Sequence, residues 1–283
     1  MHKDIWTDRQ IMLENVPFEF YHYLDEVPPQ VDFHQHPFYE LFFFLGGNVN
    51  YSIEGKTYAL RPGDVLLTNS HDVHRPEILP GKPYERVVVW LSDDFFRPFS
   101  EGGEALLACF RDAATKDYRL IRPDEQSHLR LFRLCQRITQ AQNSREIGAA
   151  ALGYALVTEF LVEVCRCYYR APTVSPGDVT ENSRINQVIG YINGHIGEEL
   201  TLENLAKQFF VSKFYLSKQF RQYAGLSIYQ YIMKKRLTLA REALLQGSSV
   251  TEAFLSSGFN DYSNFLKAFK REYGSVPRQC RRE

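Results

Sequence analysis

His34, His36 and Glu40 stand close together in the run His-Gln-His-Pro-Phe-Tyr-Glu. Imidazole and carboxylate are groups that hydrogen-bond a polar ligand or hold a cation. Their value depends on where the backbone points them. A strand turns successive side chains to opposite faces, so His34, His36, Phe38, Glu40, Phe42 and Phe44 share one side. Pro37 is the place where that strand can bend. If the shared side looks inward, it builds a cavity of imidazoles and one carboxylate with aromatic walls. Further along, Arg86, Val88 and Trp90 share a face, and the Trp90 indole is a platform for the apolar side of a sugar ring. An apolar cavity with a few aimed polar groups is the general form of a small-molecule site.

The elements that must position these residues are short strands. Alternating or apolar runs are predicted as strands over Val16–Tyr23, Tyr39–Leu45, Val49–Ile53, Lys56–Leu60, Val65–Asn69 and Arg86–Leu91. They are broken by Pro28-Pro29, Gly46-Gly47, Glu54-Gly55, Pro62-Gly63-Asp64 and Pro80-Gly81, which favour turns. Strands at this spacing indicate a sandwich or small barrel. From 101 to 170 the period becomes helical. Leu129, Phe132, Cys135 and Ile138 form one stripe. Ile147, Ala150, Ala151, Tyr154, Val157, Phe160, Leu161, Val164 and Tyr168 form a longer one, on a helix predicted near Glu146–Tyr169. Residues 171–183, with two prolines, a glycine and small polar residues, read as an exposed linker.

Beyond the linker, Leu200–Arg281 repeats one grammar twice: a short amphipathic helix, a tight turn, a polar cap and a second helix carrying Lys and Arg. Ser212 caps one second helix and Asp261 the other, because each can accept an unpaired backbone N–H. Leu216 with Phe220, and Phe265 with Phe269, make i, i+4 apolar stripes toward the core. Lys213, Ser217, Lys218 and Arg221 fall off the first stripe, and Tyr262, Ser263, Asn264, Lys267 and Lys270 off the second. Between the units, Ser227–Gln246 reads as one helix ended by Gly247. About twenty helical residues rise roughly 30 Å, close to the ~34 Å between successive major grooves on one face of B-DNA.

The doubled unit resembles the C-terminal DNA-binding domain of AraC-type (arabinose-regulator-like) transcription factors. The resemblance rests on Gly258-Phe259-Asn260-Asp261, Ser263, Phe265, Phe269-Lys270, Gly274 and Pro277. In the first unit it rests on Leu205-Ala206, Val211-Ser212, Tyr215-Leu216-Ser217 and Gly225. Two departures stand out: Ala253-Phe254 where an Ile-Ala pair is usual, and Leu266 where a small polar residue is usual. His34–Leu41 and Arg61–His74 resemble the two cupin motifs, so the N-terminal part is similar to the sensory barrel of the same family. The resemblance leaves three uses open for the histidines. They are hydrogen-bonding groups of an effector pocket, or the ligand set His34, His36, Glu40 and His74 with which enzymatic cupins hold a divalent metal, or surface and strand-end residues paired with carboxylates. The residues assigned to effector binding are His34, His36, Glu40, His74, Arg86 and Trp90, with no metal and no cofactor assigned. The resemblance implies base contacts from Phe214, Ser217 and Lys218 and from Tyr262, Ser263 and Lys267. Lys213, Arg221, Asn264 and Lys270 complete the DNA-facing set. It further implies a homodimer formed through the 101–170 helices, an operator on double-stranded DNA, a small-molecule effector leaning toward a sugar, and RNA polymerase as a further partner.

Charge agrees with this division. Residues 184–283 hold 15 Lys and Arg against 8 Asp and Glu, and the remainder 18 against 26, so a +7 module follows a −8 one. Phosphate affinity is thereby placed at the C-terminal end. Five cysteines lack disulfide-framework or zinc-site spacing. No apolar run has the ~18 residues of a membrane span and the first residues show no signal-peptide pattern, so a cytoplasmic location is expected. No Gly-rich phosphate loop and no Ser/His/Asp arrangement points to catalysis. The expected fold is an α+β two-domain chain. A cupin-like β-barrel (double-stranded β-helix) spans 1–100 and a helical dimerisation or cover region 101–170. The linker 171–183 then leads to an all-α domain with two helix-turn-helix units over 184–283. The expected function is an effector-responsive, sequence-specific transcription regulator of carbohydrate genes, not an enzyme. The alternatives are a metal-dependent cupin enzyme with a DNA-binding tail and a ligand-independent regulator.

Overall fold

The computed structural model describes residues 12–13, 16–27, 29–70, 72–99, 103–116, 118–170, 179–180 and 184–280. The chain forms two units, Met1–Thr180 and Glu181–Glu283.

The first unit contains strands β1 (Phe18–Asp25), β2 (Tyr39–Gly46), β3 (Val49–Ile53), β4 (Lys56–Ala59), β5 (Val65–Thr68), β6 (His74–Ile78), β7 (Tyr84–Leu91), β8 (Leu120–Ile121) and β9 (Val179–Thr180). They pair antiparallel into two sheets, ordered β1-β7-β2-β5-β8 and β6-β3-β4-β9. The near-continuous apolar strings of β2 and β7 exist because both faces of those strands are covered. Leu41, Phe43, Val87, Val89 and Leu91 point to one core, and Phe42, Phe44, Val88 and Trp90 to another. The second core lies between the sheets, where Val49, Tyr51, Ile53 and Tyr58 of the smaller sheet meet it.

On the outer face of the larger sheet lie α1 (Asp93–Phe96), α2 (Gly103–Thr115), α3 (Glu125–Asn143) and α4 (Ala149–Arg170). Two expectations are corrected here. α3 buries Leu131, Leu134, Cys135, Ile138 and Ala141, whereas Leu129 is exposed. Each i+3 step falls about 60° short of a full turn, so a stripe stepped only by threes drifts to the opposite side within three steps. The long helix starts at Ala149, because Gly148 adopts φ +83° just before it. Ile147, Ala150, Ala151 and Leu152 are exposed, so the first part of that expected stripe is not core. Of the segment read as a linker, only Val179 and Thr180 are described, and they pair with Tyr58 and Thr57 of β4.

The second unit is helical: α5 (Arg184–Gly194), α6 (Leu202–Gln208), α7 (Lys213–Ala224), α8 (Ile228–Leu245), α9 (Val250–Ser256), α10 (Tyr262–Tyr273) and α11 (Pro277–Cys280). Its helix starts are written in side-chain oxygens. Thr201, Ser212 and Asp261 accept from the N3 backbone N–H, and Ser227 and Ser249 form reciprocal capping boxes with Gln230 and Glu252. Each such cap contributes about 1 kcal/mol. α8 belongs to two cores. Tyr231 near its start meets Phe220 of α7 at 5.4 Å between ring centroids. Leu237, Ala240 and Leu244 pack with Ala253, Phe265 and Phe269 of the second helix-turn-helix.

Candidate functional site

The interior between the sheets gathers most of the expected polar residues. His36 and His74 are buried, which overturns the surface reading for these two, and His34 is half-buried. His34 lies ahead of β2 and forms an isolated bridge with His74 at the start of β6. The strand thus begins after Pro37, yet the predicted parity survives the bend: Phe38, Phe42 and Phe44 face the same core as Trp90. The His34 and His74 rings stand 4.2 Å apart, His36 and His74 4.8 Å, and His36 stacks on Phe38 at 3.9 Å.

Hydrogen bonding fixes the orientation of these rings. Nδ1 of His34, His36 and His74 lies 2.8, 3.0 and 2.8 Å from the carbonyl oxygens of Asp32, Phe38 and Asp72. A carbonyl only accepts, so each Nδ1 carries a proton and each Nε2 is the ring nitrogen turned away from that carbonyl. Burial lowers the pKa of His34 to about 4 and drives that of His74 well below its ordinary range. Asp72 is itself held by Arg119 at 2.8 Å, which steadies the carbonyl that orients His74.

Glu40 sits beneath the rings. Trp90 Nε1 donates to its Oε2 at 2.8 Å and the Tyr51 hydroxyl donates to its Oε1 at 3.1 Å. His36 Nε2 is 3.3 Å from Oε2 and His74 Nε2 3.9 Å from Oε1. Burial opposes its ionisation, but the His36 contact and the fields of the three imidazoles hold the carboxyl below its ordinary range. Two donors aimed at it agree with a carboxylate. Tyr51 was missed in the sequence reading. Alternation along Val49–Ile53, with the apolar Val49 and Ile53 flanking it on the same face, was the available signal.

Arg86 shares the interior side of β7 but is not brought to the histidines. Its guanidinium pairs with Asp25, donates to the Tyr84 carbonyl at 3.2 Å and lies over the Tyr84 and Tyr23 rings. Trp90 is fully buried, with Phe38 at 4.8 Å and Tyr21 at 5.3 Å between centroids. A sugar ring would therefore need one of those neighbours to move before stacking on it.

In the second unit the expected DNA-facing residues all lie outward. Lys213, Phe214, Ser217, Lys218 and Arg221 on α7, and Tyr262, Ser263, Asn264, Lys267 and Lys270 on α10, are exposed, while Leu216, Phe220, Phe265 and Phe269 are buried. Lys213 pairs with Glu203 at 3.7 Å. Among the described residues Lys218, Arg221, Lys267 and Lys270 form no ion pair. The two departures are absorbed by packing. Ala253 is buried and leaves room for Phe254, whose ring meets Tyr262 at 5.2 Å and Phe265 at 5.7 Å. Leu266 is half-buried against the second-unit core rather than presented with Lys267. The turns before α7 and α10 differ. Gly258 takes φ +79°, and a Cβ there would lie 2.7 Å from the Ile196 carbonyl oxygen, so no side chain fits. The first helix-turn-helix places Phe210 in the same left-handed region at φ +53°, 94% exposed. That residue carries no signal in the helical periodicity because it lies in the turn.

Two family models match the chain: an AraC-like ligand binding domain over residues 21–157 and a helix-turn-helix domain over 205–283. A curated relative, the HTH-type transcriptional activator RhaS of Salmonella schwarzengrund, is 29% identical over 89% of both chains, and its Salmonella typhimurium counterpart matches equally. Among solved structures, the C-terminal domain of AraT, a response regulator from Geobacillus stearothermophilus, is 32% identical over 36% of this chain and 87% of that one, with a TM-score of 0.34. ToxT from Vibrio cholerae aligns over 93% of this chain and 97% of its own, at 15% identity and a TM-score of 0.35. The chain belongs to the AraC-type transcription regulators: it is a DNA-binding regulator with a ligand-binding domain.

Proposed function

We propose that this AraC-type regulator senses a small molecule, a carbohydrate by family resemblance, through the interior cluster of its first unit and reads an operator with α7 and α10. The observation that carries the DNA half is the sorting of side chains on these two helices. Each turns aromatics or aliphatics to its own core and leaves Lys, Ser and Tyr or Phe outside. Lys218, Arg221, Lys267 and Lys270 supply phosphate attraction, which positions without reading sequence. Phe214 and Ser217 on α7 and Tyr262 and Ser263 on α10 are the base-contacting residues, with Lys218 and Lys267 serving base edges as well as phosphate.

The effector site comprises His34, His36, Glu40, His74 and Trp90, with Arg86 further along the same interior side. His34, half-buried, marks the way in. A ligand changes the balance between two arrangements of the protein only by its difference in affinity for them. The exposed Ala150, Ala151 and Leu152, with Ile147 just ahead of the helix, support a homodimer formed through the start of α4. RNA polymerase is the further partner and the cytoplasm the expected location. No helix among the described residues is long and apolar enough to cross a membrane. The relatives are regulators and the chain acts as one, not as an enzyme.

A duplex selected from a random pool by the full-length protein provides the test. Lys218→Ala and Lys267→Ala should each weaken binding and lower the slope of log affinity against log salt by about 1. His36→Ala should keep DNA affinity but lose the response to the sugar that raises the melting temperature of the wild type. Unchanged affinity and salt slope in both lysine variants would remove α7 and α10 from the interface.

A further inference from the structure

We propose that Cys109 and Cys165 form a reversible disulfide, a covalent modification site through which a peroxide acts on the first unit. The pair lies apart from the histidine cluster. Cys109 is on α2 and Cys165 on α4, both in the core on the outer face of the larger sheet. Their sulfurs are 2.9 Å apart. An S–S bond is about 2.05 Å long, so roughly 1 Å separates contact from bond. Among the described residues, no other two cysteine sulfurs are in hydrogen-bonding reach of each other. Spacing along the sequence gives no hint of the pair, because its members come from separate helices that only packing brings together.

The surroundings hold the sulfurs in place and assign their roles. The Tyr169 hydroxyl donates to Asp112 at 3.1 Å, and Lys116 Nζ stands 5.4 Å from the Tyr168 ring centroid. These contacts join the same two helices further along, so the approach of the sulfurs belongs to a fixed helix pair. Cys109 is fully buried, and its S–H donates to the Leu106 carbonyl at 3.1 Å, which leaves its sulfur lone pairs facing Cys165. The neighbouring sulfur and burial push the Cys109 thiol well above its ordinary range. Cys165 retains 7% exposure, so it is the sulfur a small oxidant reaches first. It attacks the O–O bond of hydrogen peroxide. An S–O bond forms, the O–O bond breaks and the departing hydroxide takes the thiol proton, giving a sulfenic acid and water. Cys109 then attacks the Cys165 sulfur. The S–S bond forms, the S–O bond breaks and hydroxide leaves with the Cys109 proton as a second water. The two thiols lose two electrons in all, which reduce one peroxide, and a small reducing thiol reverses the change. The bridge closes a loop that contains β8, α3 and most of α4.

Peptide mapping of the full-length protein after treatment with hydrogen peroxide is the experiment. Thiols left free are alkylated in denaturant, and the digest is analysed without reduction. Wild type should run at the mass of one chain and yield a linked peptide pair, Cys109 with Cys165, lighter by two hydrogen atoms. Cys135 and Cys167, buried without a sulfur partner, should be recovered alkylated. Dithiothreitol should return Cys109 and Cys165 to the alkylated form as well. Cys109→Ser and Cys165→Ser should each abolish the linked pair, whereas Cys135→Ser should keep it, with DNA binding by each variant confirming that it is folded. The wild-type map decides the matter even where a variant fails to fold. Recovery of both Cys109 and Cys165 as alkylated thiols after peroxide overturns the pair. So does a link that appears only when peroxide is added in denaturant, or one that joins either residue to a different cysteine.

Discussion

The two regions that carry function use similar side chains under opposite conditions. Between the sheets, Glu40 and two of the three imidazoles are withdrawn from water and their geometry is dictated by backbone carbonyls, Trp90 and Tyr51. On α7 and α10 the lysines and Arg221 stand in solvent. Charge in the first region is coupled to folding, because removing one partner strands the others. Charge in the second is nearly neutral for folding and is available to phosphate. The same substitution, a charged residue to Ala, should therefore be read out as stability in one place and as affinity in the other.

The sharpest way to break this contrast is Glu40→Ala. It leaves the Trp90 indole N–H and the Tyr51 hydroxyl without an acceptor, and it should cost about 3–5 kcal/mol of first-unit stability. The shift of the denaturation midpoint, followed by Trp90 fluorescence, measures it, and a loss below about 1 kcal/mol would mean the cluster is wetter than described. Next in size is Gly258→Ala. Positive φ and the Ile196 carbonyl together should destabilise the second unit by roughly 1–3 kcal/mol, seen in thermal melting. Smallest, and opposite in sign, is Phe210→Gly. The side chain is almost wholly exposed and its backbone is left-handed, so glycine should stabilise by up to about 1 kcal/mol. If melting temperature falls instead, the ring makes contacts that its exposure does not reveal.

Much of this was legible before any coordinates. Ser212 and Asp261 announce helix starts because a side-chain oxygen can replace the missing carbonyl. The apolar strings of β2 and β7 announce strands covered on both faces. β6 was hidden, since His74-Arg75-Pro76-Glu77-Ile78 carries a proline and two charges and owes its pairing to β3. In the interior site, parity placed His36, Glu40 and Trp90 on one side, but nothing local says which nitrogen of a ring holds its proton. That depends on carbonyls of Asp32, Phe38 and Asp72, and backbone oxygens leave no trace in residue identity. Arg86 shows the limit of parity: it shares a side with Trp90, yet Asp25 and two tyrosine rings hold it elsewhere.

The double allegiance of α8 has a consequence for evolution of the operator. Adding or deleting one residue in its middle would turn everything beyond it by about 100° and shift it by about 1.5 Å, so α10, the second of the two helices proposed above to contact DNA, would address a different edge of the duplex. Base preferences can drift one side chain at a time, but the phase between the two half-messages is locked to the pitch of a single rod.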